Sequence, residues 1–292
     1  MNVREYPRLS SNRHPLAWSN SSILTVAHRG YWHQAPENSL EAIAAAAAVG
    51  IDIAEVDVQS TSDGALVLLH DETLDRTTDQ AGKLSAMSFG DVESLRLREG
   101  NGSSPNVTAA RLPTLGAALE LARGRILLNL DLKDQPRTYE LVDRVSNVVL
   151  AAGMADQVIL KCEMLGDADE FIRWVRSQRF HGRIAFMPIL RSNGAELADE
   201  IEHLGVLGSR IYEVRFANWD ALTRTGPVLR RQSARLWLNT LNPSHSMDYN
   251  DSRALTDPQA VWGRLAEFDG LGAIQTDHPQ TLIEFLRTQG RS

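Results

Sequence analysis

The chain has 292 residues, 43% of them hydrophobic and 23% charged, proportions that permit a sizeable buried core. Its formal net charge of −7 excludes the basic face that non-specific nucleic-acid binding needs, while leaving room for a local cationic site for a small anion. The single cysteine, Cys162, excludes an internal disulfide, and no run reaches the roughly 18 apolar residues of a membrane-spanning helix.

Residues 1–22, MNVREYPRLSSNRHPLAWSNSS, read as a polar surface arm. The arm has no apolar stretch of the secretory type, so the expected compartment is the cytoplasm. ILTVAHR (23–29) reads as a strand. A helix follows over 39–49, with Ser39 as N-cap and Gly50 as stop. IDIAEVDVQ (51–59) is the second strand and ALVLLH (65–70) a short further one. Residues 71–111, rich in Gly, Ser and Thr, read as an insertion or long loop. Helix 114–124 precedes strand 125–133, helix 138–152 precedes strand 157–163, and helix 167–178 precedes strand 183–190. Helix 194–204 precedes strand 209–216, helix 218–231 precedes strand 235–241, and helix 257–267 precedes strand 272–277. Helix 280–289 closes the chain.

With ALVLLH set aside as an extra hairpin strand, eight strands each have a helix after them. Strict β/α alternation predicts a parallel sheet with right-handed crossovers. Eight such units in about 270 residues fit a closed (β/α)8 TIM barrel of the α/β class. An open, doubly wound sheet would carry a glycine-rich phosphate turn after the first strand, and HRGYWHQAPEN is not one. The expected organisation is an arm over 1–22 and a single barrel domain over 23–292.

Function in such a barrel collects at the C-terminal strand ends. There the sequence places His28-Arg29, Glu55 and Asp57, His70-Asp71, Asn129, Asp131 and Lys133, Lys161 and Glu163, Glu213 and Arg215, Trp237 and Asn239, and Asp277-His278. Charges on strands buried on both faces are costly unless they are paired or bind something. For Glu163, Glu213 and Arg215 paired, structural charges are as fair a reading as a functional one. Glu55, Asp57 and Asp131 converging on one mouth would repel one another without a cation, and oxygen-only ligands suit Mg²⁺ or Ca²⁺ better than zinc. His14, His181, His203 and His245 read as ordinary core or surface groups, and His33 and His278 stay open. His28 and His70 each end an apolar strand before a polar turn, which suits an acid–base pair. Arg29 and Lys133 add cations fit to hold phosphate.

The runs AHRGYWHQAPENSLEAI, GIDIAEVDVQSTSDGALVLLHDETLDRTTDQAGKLS, LPTLGAALELA, LLNLDLK and QTDHPQTLIEFL together resemble the glycerophosphodiester phosphodiesterase family. The match in order and spacing covers residues 26–133 and 272–286; residues 134–270 match only as alternating β/α units. The resemblance implies a (β/α)8 barrel with a small insertion after the second strand, about 71–112 here. It implies a divalent metal, Mg²⁺ or Ca²⁺, held by Glu55 and Asp57. It makes His28 and His70 the acid–base pair, Arg29 and Lys133 the phosphate binders, and Glu37 a nearby rim carboxylate that ligates directly or supports the ligands. The implied reaction is hydrolysis of a phosphodiester through a cyclic intermediate. One departure stands out: the family has Glu in its strand-3 E-x-K motif where this chain has Asp131. A side chain shorter by one methylene either reaches the ion through water or draws it deeper. Trp237 would suit stacking on a glycerol or sugar face, or packing in the core. The partner expected is a small-molecule phosphodiester, with a sugar-containing diester, or a non-catalytic phosphodiester-binding barrel, as alternatives.

Overall fold

Apolar strands alternate with helices along the described chain, and the computed structural model describes residues 6–133, 138–164, 166–190, 192–243 and 246–291. The first elements are β1 Leu24–Ala27, α1 Leu40–Ala48, β2 Ile53–Ser60, β3 Leu66–Leu68, α2 Phe89–Val92, β4 Arg96–Arg98, β5 Val107–Arg111, α3 Leu115–Ala122, β6 Leu127–Leu132, α4 Thr138–Ala151 and β7 Val158–Glu163. They continue with α5 Ala168–Ser177, β8 Ala185–Ile189, α6 Leu197–Leu204, β9 Ile211–Glu213, α7 Trp219–Arg224, α8 Gly226–Gln232, β10 Arg235–Asn239, α9 Asp251–Thr256, α10 Arg264–Ala266, β11 Leu271–Thr276 and α11 Pro279–Thr288. The main sheet runs β1-β11-β10-β9-β8-β7-β6-β2-β3, and β1 also pairs with β2. Eight parallel strands thus close a (β/α)8 barrel, and β3 is an extra antiparallel strand on β2. Among the described residues no helix is long and apolar enough to cross a membrane.

The chain divides into two compact units, described separately. The first spans residues 27–160. In it β2 and β6 are buried along their whole length, as strands covered on both faces must be. Their parallel register sets Glu55 beside Asn129 and Asp57 beside Asp131. Helix α1 starts where the Ser39 hydroxyl accepts the Ala42 N–H, and its buried face is Ala42, Ile43 and Ala46. Small side chains there permit a close approach. Gly30, at φ +75°, sits so near α1 that an added Cβ would lie 2.8 Å from the Ala42 Cβ.

The segment expected to be a polar insertion or loop has a core of its own. β4 and β5 form an antiparallel hairpin, and Leu74, Leu84, Val92, Leu95, Leu97, Ala110 and Leu112 cluster with Val67 and Leu69. These apolar residues are irregularly spaced among polar ones, so they make neither a helical nor a strand period. They gain burial by packing on Val67, on Leu69 and on each other, with Met87 and Phe89 against them.

The second unit comprises residues 6–26 and 161–291 of the described chain. Residues 6–22 are not all surface arm: Leu16 and Ala17 are buried, and the His14 Nδ1 accepts the Leu16 N–H at 3.1 Å. The helix expected over 218–231 is two helices. Asn218 caps α7, and Pro227, which lacks an N–H, sits in the first turn of α8. The helix expected over 257–267 contains a π-helical turn over Gln259–Gly263, and α9 precedes it inside the long polar segment.

Candidate metal centre and active site

The residues of this site lie in the first unit. Glu55 and Asp57 are two apart on β2 and so share a face; Asp131 is the register partner of Asp57 on β6. Ligand oxygens of the three lie within 4.8 Å of one another, and all three residues are buried. Asp57 Oδ1 accepts no hydrogen bond, and the Lys133 Nζ lies 3.3 Å from it. Three buried carboxylates with an unsatisfied oxygen form a hard, oxygen-only donor set, which fits Mg²⁺ or Ca²⁺. The shorter Asp131 side chain therefore still joins the cluster.

Each carboxylate is held in place. Glu55 Oε2 accepts the Arg29 N–H at 2.9 Å. Arg29 is in the left-handed region, φ 56°, and so is Asn38, also at φ 56°. Two non-glycine residues in that region mark strain of the kind kept at functional sites. Asn38 bonds Asp57 twice: its Nδ2 donates to Oδ2 at 2.8 Å and its Oδ1 accepts the Asp57 N–H at 2.9 Å. Burial by itself would raise the Asp57 pKa, but Lys133, His70, Arg29 and His28 outweigh it and hold the carboxyl below its ordinary range.

The cations are arranged around these acids. Lys133 Nζ pairs with Asp131 Oδ2 at 2.7 Å as well as with Asp57. Arg29 Nη1 donates to both Glu37 oxygens at 3.1 Å, and its Nε lies 3.5 Å from Asp57 Oδ2. Burial would lower the Arg29 pKa, but Glu37, Asp57 and Glu55 raise it. Glu37 is thus a carboxylate that holds arginines, outside the three-carboxylate cluster.

A chain of contacts links Glu37 to His70. Arg76 Nη2 donates to Glu37 Oε1 at 2.8 Å and to Asp71 Oδ1 at 2.8 Å, while its Nε donates to Asp71 Oδ2 at 2.7 Å. Asp71 Oδ1 lies 2.7 Å from His70 Nδ1. The Arg76 hydrogen bonds, helped by His70, hold the Asp71 carboxyl down at about 2. A charged Asp71 fixes the His70 tautomer with Nδ1 protonated and leaves Nε2 to exchange a proton. Sequence reasoning missed Asn38 and Arg76 as site residues, although both stand inside the runs that carry the family resemblance, Asn38 in P-E-N and Arg76 in R-T-T.

Other candidates differ. His33 is exposed and stacks on Trp32, ring centroids 4.0 Å apart. Trp237 belongs to the second unit and has no accessible surface; its Nε1 donates to Asn239 Oδ1 and Gln275 Oε1 at 2.9 and 3.1 Å. It is a core tryptophan, with no ring face to offer a ligand. In the same unit Lys161 Nζ pairs with Glu213 Oε2 at 2.9 Å, both residues buried, so Glu213 is a paired charge. Glu163 and Arg215 are exposed, His278 opens α11, and His245 lies outside the described residues.

A family model described as the glycerophosphoryl diester phosphodiesterase family matches residues 28–176, and a domain of unknown function matches residues 186–286. Over 112 residues the chain is 40% identical to glycerophosphodiester phosphodiesterase 1 of Mus musculus, a stretch that is 38% of this chain and 34% of the mouse protein. Over 137 residues it is 34% identical to a glycerophosphodiester phosphodiesterase of Caldanaerobacter subterraneus, 47% of this chain and 51% of that one. The chain thus spans about a third to a half of the length of these relatives. Among solved structures it is similar to a glycerophosphoryl diester phosphodiesterase from Parabacteroides distasonis, with TM-score 0.73 and 21% identity over 94% of this chain and 90% of that one. It is also similar to an Oleispira antarctica phosphodiesterase in complex with the product sn-glycerol-3-phosphate, with TM-score 0.68 and 23% identity over 92% of this chain and 99% of that one. At such identities the two structures speak for the fold alone.

Proposed function

The chain belongs to the glycerophosphoryl diester phosphodiesterase family, and on that premise we propose that it is a metal-dependent phosphodiesterase. It hydrolyses a glycerophosphodiester-type substrate to an alcohol and a phosphomonoester. The observation that carries this reading is the buried Glu55–Asp57–Asp131 cluster in one unit with the Asp71-oriented His70. The name shared by the relatives of Mus musculus and Caldanaerobacter subterraneus, glycerophosphodiester phosphodiesterase, supports the substrate class.

Glu55, Asp57 and Asp131 would hold a divalent ion, Mg²⁺ or Ca²⁺, which when bound supplies Lewis-acid charge to a phosphoryl oxygen. Arg29 orients the phosphate through Nη2, which takes no part in its pairs with Glu37 and Asp57. Lys133 adds a point charge beside the same oxygens. One histidine of the pair His28 and His70 takes the proton of the substrate's own neighbouring hydroxyl as that oxygen attacks phosphorus. The other gives a proton to the departing alcohol oxygen, so a cyclic phosphodiester and a free alcohol form. Water then opens the ring with the two roles reversed. Asn38 and Arg76 do no chemistry; they hold Asp57 and Asp71.

Phosphorus NMR of a glycerophosphodiester incubated with the protein and Mg²⁺ or Ca²⁺ tests this. The expected record is loss of diester, a transient cyclic phosphodiester, then phosphomonoester. No phosphomonoester with either metal would overturn the activity. Equal rates on a diester lacking the neighbouring hydroxyl would overturn the cyclic route.

A further inference from the structure

Arg235, the first residue of β10, is 4% exposed and stands in the second unit. Its Nη2 donates to the carbonyls of Ser22 and Leu271 at 2.5 and 2.9 Å. Its Nη1 is buried without a hydrogen-bond partner. Among the described residues no carboxylate pairs with it. A buried charge without a counter-charge is costly, and two carbonyl dipoles do not replace an anion. Burial alone holds this guanidinium down at about 10.

Arg235 lines a cavity of about 220 Å³. Trp18, Ser21, Arg230, Asp269 and Arg291 are among its other lining residues. Arg230, Asp269 and Arg291 are exposed, and Arg230 Nη2 pairs with Asp269 Oδ2 at 3.2 Å. Three arginines against one aspartate leave this lining two positive charges in excess. The cavity lies at the N-terminal ends of β10 and β11, the ends of those strands opposite Asn239 and Thr276. Function in a barrel normally gathers at the other ends, so the catalytic reading does not explain a cationic cavity here.

We propose that this cavity is a binding site for a small dianionic oxyanion of the phosphate class, held by Arg235 from within and by Arg230 and Arg291 at its mouth. The planar guanidinium presents paired N–H donors that match a phosphate, and the excess of two positive charges matches a dianion. A water molecule could accept from the Nη1 N–H but would leave the charge uncompensated.

The test is a titration with inorganic phosphate at constant ionic strength held with chloride, in chelator, read by calorimetry and by thermal unfolding. It uses protein carrying Arg29→Gln, so that phosphate at the other candidate site is weakened. Phosphate is expected to bind saturably and raise the unfolding midpoint of this parent. Arg235→Met is expected to be at least as stable as the parent without phosphate, because it removes an unpaired buried charge, and to lose the phosphate response. Arg230→Gln with Arg291→Gln, both on the surface, is expected to weaken phosphate roughly tenfold. Acetate, a monoanion, is expected to bind roughly tenfold more weakly than phosphate. Undiminished phosphate affinity in the Arg235→Met protein overturns the site. If Arg235→Met does not fold, undiminished affinity in the double surface variant overturns it instead. A response that chloride reproduces overturns specific binding, and equal affinity for acetate overturns the dianion assignment.

Discussion

His70 has a carboxylate, Asp71, 2.7 Å from its Nδ1, and two Arg76 hydrogen bonds fix that carboxylate in place. If the two rings are base and acid, His28→Ala and His70→Ala each lower turnover by roughly 10²–10⁴-fold. The double variant is only slightly worse than the poorer single one, because groups that act as a unit are not additive. A nitrophenyl phosphodiester needs little help at its leaving group, so it rescues the variant lacking the acid and not the one lacking the base. Near-native turnover of both single variants on a natural diester would refute the pair. Asp71→Asn keeps the shape but has no charge and only one acceptor oxygen, its NH2 facing a donor from which Asp71 accepts, so the ring loses its fixed carboxylate. Its turnover is expected to fall toward that of His70→Ala while calorimetric metal affinity is retained; unchanged turnover would show that His70 needs no such orientation.

Strand ends were legible in the sequence because an ionisable pair closing an apolar run is costly unless it meets water, a partner or a ligand there. E-x-D on one strand and D-x-K on another showed their shared faces through the period of two. The partners of those residues were not legible. Asn38 reaches Asp57 across 19 positions and Arg76 reaches Glu37 across 39, contacts that only the closed fold creates. The core of the insertion was hidden for a related reason, since its leucines follow no period, and Trp237 could be placed only once its indole partners were known. At this scale Gly30→Ala is expected to destabilise by about 2–4 kcal/mol, combining a left-handed backbone with a Cβ driven into α1. A loss under 1 kcal/mol by denaturant titration would mean that α1 can move away. In the second unit Lys161→Met is expected to cost about 3–5 kcal/mol, because Glu213 is left buried and unpaired. Adding Glu213→Leu is expected to recover most of that loss; no recovery would place the cost in packing and not in charge.

The acid–base behaviour of the whole protein follows from groups shifted in opposite directions. Asp251 is raised to about 6 by burial, against hydrogen bonds from Thr240, Thr276 and the Asp277 N–H. Its native form binds a proton more readily than the unfolded chain does, so stability rises as pH falls from above 6 toward the unfolded value of 3.8. Asp71 and Asp57 are depressed, so the stability they contribute is present above 3.8 and is lost as pH falls further, toward about 2 for Asp71. Burial lowers His278, which opposes Asp251 as pH falls, so the Asp251 contribution is read as a difference: in chelator the protein is expected to gain stability over Asp251→Asn as pH falls from about 6 to 3.8. A difference that does not change with pH would contradict the raised Asp251. The central claim, however, is that Glu55, Asp57 and Asp131 form one divalent-metal centre, and calorimetric titration of Mg²⁺ and Ca²⁺ into the apoprotein tests it most directly. The account predicts saturable binding of one ion per chain, with most of the affinity lost in Glu55→Gln and in Asp57→Asn while the fold survives. It also predicts that Asp131→Glu binds metal, because a longer carboxylate reaches the same oxygens. Wild-type affinity in both the Glu55→Gln and Asp57→Asn proteins would contradict it.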